Sequence, residues 1–173
     1  MVQNTNSMMS KFNILFFFIF LISCNSNKEN ELSFILDVKN VEIELSKETS
    51  DFGGFGEGYS LEVYVLSRKA IQSFVNKSNR ILPKKKDPEK WHKYDWNTYP
   101  VDSSYNEVFT MGLNYSNGDL KLEKYLIGIK KTLLTPNIYC AFYYKPDERN
   151  PQDIELYILD IKTGKLYLIK ASF

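Results

Sequence analysis

The last third of the chain constrains the fold most, because short apolar segments there are separated by turn residues. Residues 138–144 are rich in aromatic side chains, and two further apolar runs, 154–161 and 165–173, flank the Lys-Thr-Gly sequence at 162–164. Such runs, joined by a short loop that contains glycine, are typical of strands and of a β-hairpin. The carboxyl third is therefore predicted to be β-structure that ends in a hairpin.

Three more strand-like segments lie earlier in the chain. They cover residues 34–38, 41–45 and 59–66, and the last two alternate between apolar and polar positions. Alternation with a period of two predicts a strand with one face in the core. In the segment 59–66 the alternation separates two faces: Leu61, Val63 and Val65 on one, and Ser60, Glu62 and Tyr64 on the other.

Helical periodicity predicts three helices. Ser67 is a good N-cap for a helix that extends to Lys77, and Asp102 caps a second helix that extends to Asn114. The third covers residues 120–134, within which Gly128 costs about 1 kcal/mol relative to alanine. The predicted apolar stripes are, in chain order, Ile71, Phe74 and Val75; Tyr105, Val108, Phe109 and Leu113; and Leu122, Leu126, Ile129 and Leu133.

Together these elements predict one domain of the α+β class over residues 32–173. Two or three helices pack against an antiparallel sheet of five or six strands, and the chain closes with the hairpin. A body of about 150 residues buries enough surface for a core without disulfides or metals. Residues 79–100 contain three prolines and are predicted to be the least regular stretch.

The amino terminus has the pattern of a secretory signal. Lys11 is the only charge before the apolar run 14–22, which as a helix extends about 13 Å and is too short to span a bilayer. We therefore interpret residues 1–23 as a signal peptide. The alternative is a buried core helix, which three consecutive phenylalanines close to the terminus disfavour.

The apolar run ends in Leu21-Ile22-Ser23-Cys24, which resembles the lipobox of bacterial lipoprotein precursors. This resemblance implies cleavage before Cys24, a thioether-linked diacylglycerol on its thiol, and acylation of the new amino terminus by a chain such as palmitate. Three acyl chains suffice for stable membrane anchoring. The alternative is an ordinary signal peptide followed by an unmodified cysteine.

The lipoprotein interpretation predicts a protein of the bacterial cell envelope that is anchored in the membrane through lipid on Cys24. In a Gram-negative cell this is the outer membrane, on its periplasmic or surface side. Asn25 follows the cysteine, in place of the aspartate that favours retention in the inner membrane of enteric bacteria. Residues 24–31 are polar after the cysteine and are predicted to be a tether.

Residues 51–58 have the sequence Asp-Phe-Gly-Gly-Phe-Gly-Glu-Gly, the most distinctive in the mature chain. A phosphate-binding loop needs glycines that open onto a helix N-terminus, whereas these lead into a strand. The segment is therefore predicted to be a turn or bulge that uses positive φ angles. The alternative is a recognition loop that presents Phe52 and Phe55 to a partner.

The same segment resembles one in a group of small bacterial proteins, Asp-x-His-Gly-Gly-Phe-x-Gly-Asp-Gly. The positions that match here are 53–55, 56–58, Trp96 to Pro100, Asp160, Gly164, Leu166 and Tyr167. The chain departs from the pattern by a one-residue gap after Phe55 and by Phe52 in place of histidine. That group has no assigned activity, so the resemblance implies only a similar fold over most of residues 50–173.

A second aromatic segment, residues 90–99, contains both tryptophans and the only histidine, His92. It is predicted to be a loop, and rings on a loop can stack on sugars or a peptide, which makes Trp91 and Trp96 candidate binding residues. The alternative is that Trp96 closes the end of the core. The nearby lysines 84–86 form a local positive patch that could contact anionic headgroups, or simply a solvated loop.

Composition excludes several classes of function. Lys and Arg total 22 against 21 for Asp and Glu, so no basic field favours nucleic acid. One histidine and two cysteines leave no set for a zinc site, and we expect neither metal nor cofactor. Cys140 lies in an apolar strand, where a thiol behaves as a small buried hydrophobe. A Cys140–His92 nucleophilic pair would need direct contact and a third group to orient it.

The sequence thus predicts a lipid-anchored protein that is not an enzyme and whose body binds a macromolecule, with a protein as partner. One example of this class is an immunity or inhibitor lipoprotein that holds a toxin at the membrane. The alternative is a small envelope hydrolase or a sugar-binding accessory protein that uses the Trp91–Trp96 segment and His92. A structural subunit of an envelope complex is a third reading.

Overall fold

Six strands form a single antiparallel sheet in the computed structural model, which describes residues 27–52, 58–85, 87, 90–116 and 118–172. The strands are β1 (Ile43–Phe52), β2 (Gly58–Leu66), β3 (His92–Thr98), β4 (Ile138–Lys145), β5 (Asp153–Asp160) and β6 (Lys165–Ser172). Their order is β1-β2-β6-β5-β4-β3, so β1 and β3 are the edges. The last strand lies between β2 and β5 and joins the early and late parts of the chain.

Four α-helices cover this sheet within the described part of the chain. They are α1, whose described part is 27–36, α2 (Arg68–Val75), α3 (Asn106–Leu113) and α4 (Leu120–Leu133), and a 3₁₀ turn (Ser103–Tyr105) precedes α3. The first two helices pack on one face of the sheet and the last two on the other. This arrangement confirms the predicted α+β class, the six-stranded antiparallel sheet and the closing hairpin, with one helix more than expected.

The face under α3 and α4 carries an almost entirely apolar core. Alternate residues of each central strand point into it, including Leu61, Phe142, Leu156 and Ile169, each at most 1% exposed. The helix α3 approaches the sheet closely at Gly112, where a Cβ atom would lie 3.1 Å from Cδ1 of Ile154. A side chain there would require Ile154 and Leu156 to shift by a few tenths of an ångström.

The face under α1 and α2 carries a second core, which contains large aromatic side chains and a buried carboxylate. Leu32 of α1 and Phe74 of α2 are fully buried against it, together with Tyr157. The polar face of β2 is also covered, because Glu62 is only 5% exposed and Tyr64 only 3%. The polar face of β2 is thus covered, whereas Val63 and Val65 on its apolar face are only half-buried, which its alternating sequence does not indicate.

The helix α1 corrects two predictions. Residues 34–38 were expected to form a strand and residues 24–31 a tether, whereas 27–36 are helical. Leu32, Ile35 and Leu36 have helical spacing and are buried, while Phe34 points outward at 64% exposure. The folded domain therefore begins before residue 32, and the part of the predicted tether that lies before residue 27 is outside the described residues.

The strand β3 corrects a third prediction, because residues 90–99 were expected to be a loop. His92–Thr98 pairs with β4 at the edge of the sheet, with a register shift between Tyr94 and Asn97. Of its side chains only that of Trp96 is buried. An edge strand with one buried side chain has no clear alternation, which explains why the pattern was missed.

The predicted helix starts are confirmed. The Ser67 hydroxyl accepts a hydrogen bond from the Ala70 amide at 3.3 Å, and the Asp102 carboxylate accepts one from the Ser104 amide at 2.8 Å. The stripe Leu122, Leu126, Ile129 and Leu133 is buried. Phe109, which was expected to be buried on α3, is only half-buried at the border of the core, against Tyr99 and Phe142.

The closing hairpin depends on Asp160 and Gly164. The Asp160 carboxylate accepts hydrogen bonds from the Lys162 amide at 2.9 Å and from the Thr163 hydroxyl at 2.7 Å. Gly164 has a φ of +72°, and a Cβ there would lie 2.9 Å from the carbonyl oxygen of Leu66. Both the conformation and the close approach require glycine at this turn.

Candidate functional site

Several residues singled out from the sequence lie outside the described part of the chain. These are the signal segment 1–23, Cys24, and residues 53–57 with Phe55. The strand β1 ends at Phe52 and β2 begins at Gly58, and these two residues are register partners. The side chain of Phe52 is also outside the description, so the recognition-loop reading stays a prediction.

The two tryptophans occupy different environments. Trp96 is 4% exposed, and its indole nitrogen donates a hydrogen bond to the carbonyl oxygen of Ile35 at 3.1 Å. It belongs to the core and offers no surface for a ligand. Trp91 is half-buried, and the ammonium groups of Lys85 and Lys145 lie 4.7 and 4.8 Å from the centre of its ring. These two cations lie over the ring, where a sugar would stack.

His92 and Cys140 are far apart. The exposed His92 is the register partner of Tyr144 and stacks on its ring, whereas Cys140 is the partner of Asn97. Four residues of strand separate the two positions along β4, about 13 Å at 3.3 Å per residue. Cys140 is fully buried, and burial raises the pKa of its thiol far above the ordinary range. The pair cannot act as nucleophile and base in this arrangement.

The positive patch expected near residues 84–86 is partly neutralised. Lys85 forms an ion pair with Glu155, and Lys93 contacts Asp95 at 2.7 Å. Lys86 is outside the described residues. Two of the lysines near this end of the sheet are therefore paired with acids, whereas Lys84 and Lys90 are exposed and form no ion pair with a described residue.

A buried ionic cluster joins α1 to the sheet. The Lys28 ammonium donates a hydrogen bond to the Glu62 carboxylate at 2.7 Å, and the Tyr64 hydroxyl donates another to the same oxygen. Burial by itself would raise the pKa of Glu62, but the hydrogen bonds from Lys28 and Tyr64 and the nearby charges lower it below its usual value. The cluster is fully paired and serves the packing of α1.

A cleft lies between α4 and the strands β2 and β6. Its volume is about 480 Å³, and a second cavity of about 180 Å³ continues it toward β1. The two share Val63, Lys121 and Tyr125. Apolar parts of Leu61, Val63, Ile129 and Tyr167 form the floor of this α4 cleft. Its lining residues come from α4 and from the strands β1, β2 and β6.

Cations surround the cleft. Lys121, Lys124 and Lys165 line the larger part and Lys47 the smaller, with Glu48 as the one acid among the lining residues. None of the four lysines forms an ion pair with a described residue. Near Trp91, by comparison, Lys85 and Lys145 are paired with Glu155 and Asp153. The α4 cleft therefore combines an apolar floor with a free cationic rim, which suits an anionic ligand that also carries apolar groups.

The exposed side of α4 carries a second unusual feature. Leu120, Ile127 and Leu134 are 79%, 53% and 85% exposed. Seven residues make almost two helical turns, so these side chains form one stripe along the helix, beside the row that contains Lys124 and Gly128. Successive members lie about 10 Å apart at 1.5 Å per residue, with charged residues between them, so they are three separate exposed apolar side chains on one side of the helix and not a contiguous apolar patch.

Periodicity did not predict this site, because the helical stripe of α4 that it predicts is the buried one. Leu120, Ile127 and Leu134 lie outside that stripe. Their spacing of seven, with lysines between them, is a signal that a sequence alone contains. The cleft itself depends on strand order, because Lys47, Lys121 and Lys165 come from distant parts of the chain and meet only through the pairing of β1, β2 and β6.

Two negative findings apply to the described residues alone. No group of three or more His, Cys, Asp and Glu is placed to hold a metal ion there. None of the helices within this part of the chain has the length and apolar character that crossing a membrane requires. Comparison with known proteins found no family model, no curated protein and no solved structure that matches the chain.

Proposed function

We propose that this chain is a lipid-anchored protein of the bacterial cell envelope whose body binds a protein partner and does not catalyse a reaction. The observation that supports the binding role most is the exposed stripe Leu120, Ile127 and Leu134 on α4, beside a cleft with unpaired lysines. Burial of such exposed apolar side chains under a partner would stabilise the complex by about 25 cal/mol per Å² of apolar surface removed from water.

The anchor is supported by the sequence at the amino terminus. The lipobox Leu21-Ile22-Ser23-Cys24 comes where the apolar run ends. In the structure α1 is already helical at residue 27 and is fixed to β2 through the pair Lys28–Glu62. An anchored Cys24 would therefore hold the body close to the membrane surface, with few residues between lipid and domain.

The alternative role, a hydrolase or a sugar-binding protein that uses residues 91–96, has less support. Trp96 is buried, Trp91 is covered by Lys85 and Lys145, and His92 stacks on Tyr144. A structural subunit of an envelope complex would also use the α4 surface, and differs from our proposal only in the permanence of the contact.

The anchor is tested with the two cysteines as a matched pair. Cells that express the full chain are labelled with an alkyne analogue of palmitate and fractionated. Cys24→Ala should abolish the label and release the protein from the membrane fraction, whereas Cys140→Ala should keep both, because Cys140 is buried. Label that persists in Cys24→Ala would contradict lipidation at that residue.

The partner surface is tested by photo-cross-linking in the same cells. A photoreactive amino acid at Ile127, on the exposed stripe, should give a discrete adduct with one protein. The same amino acid at Lys69, on α2 at the opposite face, is the control and should give none. Equal adduct patterns from both positions, or an adduct with lipid alone at Ile127, would contradict a protein partner on α4.

A further inference from the structure

We infer that the α4 cleft binds an extended, carboxylate-rich segment of the partner protein, a proposal that rests on the proposed function for the class of ligand. Three independent features of the cleft point to such an occupant: a glycine that folding does not require, four lysines without ion-pair partners against a single acid, Glu48, and a length that matches a short peptide.

Nothing in the fold requires glycine at position 128. It lies in the interior of α4, no positive φ is imposed on it, and a Cβ there would meet nothing within 4 Å. This contrasts with Gly112 and Gly164, where a Cβ would meet atoms at 3.1 and 2.9 Å. Glycine inside a helix costs about 1 kcal/mol relative to alanine. Its effect here is to open the wall of the cleft, so that an occupant can contact the helix backbone.

The charges do not serve the helix either. Lys121 and Lys124 are in the first two turns of α4, where the helix dipole favours acids and disfavours cations. With Lys165 and Lys47 they surround the cleft on three sides, and none pairs with a described residue. Carboxylates of a ligand would supply the missing counter-charges.

The spread of the lysines favours a segment over a single small anion. From Lys121 to Thr132 the cleft follows α4 for about 16 Å at 1.5 Å per residue. An extended peptide rises about 3.3 Å per residue, so about five residues fit this length. A flat membrane surface could contact the exposed stripe, but it cannot enter a concave cleft to reach Val63 and Gly128.

The probe is a fluorescent octaglutamate peptide, titrated by anisotropy at low salt against the full chain in non-ionic detergent. The test variant is Lys121→Glu with Lys124→Glu. The control is Lys39→Glu with Lys69→Glu, which changes the net charge equally but alters exposed lysines away from the cleft. The cleft variant should weaken binding at least tenfold, and the control less than threefold, because the cleft concentrates the attraction. A soluble short-chain phosphatidylglycerol serves as competitor.

Equal weakening by the two variants would show that only net charge matters and would overturn the inference. Displacement by the phosphatidylglycerol at concentrations below those of free octaglutamate would overturn it in favour of a lipid headgroup. The cross-linking test at Ile127 does not depend on either result. An inference that fails can therefore be distinguished from a proposed function that fails. Unchanged far-UV circular dichroism of both variants confirms that folding is not the cause.

Discussion

The two faces of the sheet are covered in different ways. At the centre of the face under α1 and α2, the closed face, even the charged group of Glu62 is buried and paired, while a cleft of about 440 Å³ lies at the edge of α2 beside the β5–β6 hairpin. On the face under α3 and α4, the open face, a cleft of about 480 Å³ lies beside α4, and its lysines have no ion-pair partner among the described residues. One face therefore contributes stability and holds the helix nearest the predicted anchor, while the other combines stability with a surface that is open for binding.

The largest effect is expected on the closed face. Trp96→Ala removes a buried ring that contacts Phe74 and donates to the carbonyl oxygen of Ile35, and should cost about 3–5 kcal/mol of unfolding free energy. Trp91 packs at the edge of the same core and is half-buried. Trp91→Ala loses mainly the contacts with Lys85 and Lys145 and should lower the free energy of unfolding by about 1–2 kcal/mol. Urea unfolding compares them, and equal losses would contradict the closed cover over Trp96.

The buried pair on the same face should make stability depend on pH. At pH 7 Glu62→Gln should cost about 1–3 kcal/mol, because it weakens charged hydrogen bonds with Lys28 and Tyr64. The folded-state pKa of Glu62 is below its ordinary value of 4.5. Its charge therefore contributes stability above pH 4.5, and this is lost as the pH falls through the folded value. Urea midpoints from pH 7 to pH 3 should converge for wild type and variant.

On the open face, Phe109→Ala should cost about 1–2 kcal/mol, less than the cost for a fully buried phenylalanine. Phe109 is half-buried and contacts Tyr99 and Phe142 at the border of the core. Phe142→Ala, in the centre of the same core, is the matched comparison and should cost about 3–5 kcal/mol. Similar losses in denaturant unfolding would show that the border of this face is as tightly packed as its centre.

Lysines on the two faces should differ in what they contribute. Lys28→Met removes a partner of buried Glu62 and should cost about 1–3 kcal/mol. Lys121→Met and Lys124→Met, at the cleft, should change stability by less than about 0.5 kcal/mol, since neither pairs with a described residue. Thermal melts check this, and a large loss from the cleft lysines would indicate a structural role for them.

Strong periodicity explains what could be predicted from the sequence. The core stripe of α4, the caps Ser67 and Asp102, and the hairpin at 162–164 depend on local spacing and were found. The strand β3 has one buried side chain, and α1 has an apolar run short enough to resemble a strand, so both were missed. The order of the strands in the sheet cannot be predicted from the local spacing of residues. The cleft depends on that order and therefore could not be predicted either.

The candidate site shows the same limit. Trp91, Trp96 and His92 were chosen because aromatic rings and histidine are frequent in binding sites, and the structure places them in packing contacts. The residues of the cleft are lysines, a glycine and tyrosines, types that are common on surfaces and carry no signal one by one. They are distinguished by their position together on a concave surface, where the lysines have no ion-pair partner among the described residues. This arrangement is visible only in the tertiary structure.

The most direct test of binding at the α4 cleft is the variant Gly128→Ala, measured for stability and for octaglutamate binding on the same preparation. If Gly128 is there to admit an occupant, the alanine variant should have a higher melting temperature and a free energy of unfolding that is larger by about 0.5–1 kcal/mol. Its affinity for octaglutamate should fall at least threefold. Gly128→Leu should weaken binding further. Unchanged or tighter binding by the stabilised Gly128→Ala variant would contradict the α4 cleft as the site of the partner's acidic segment.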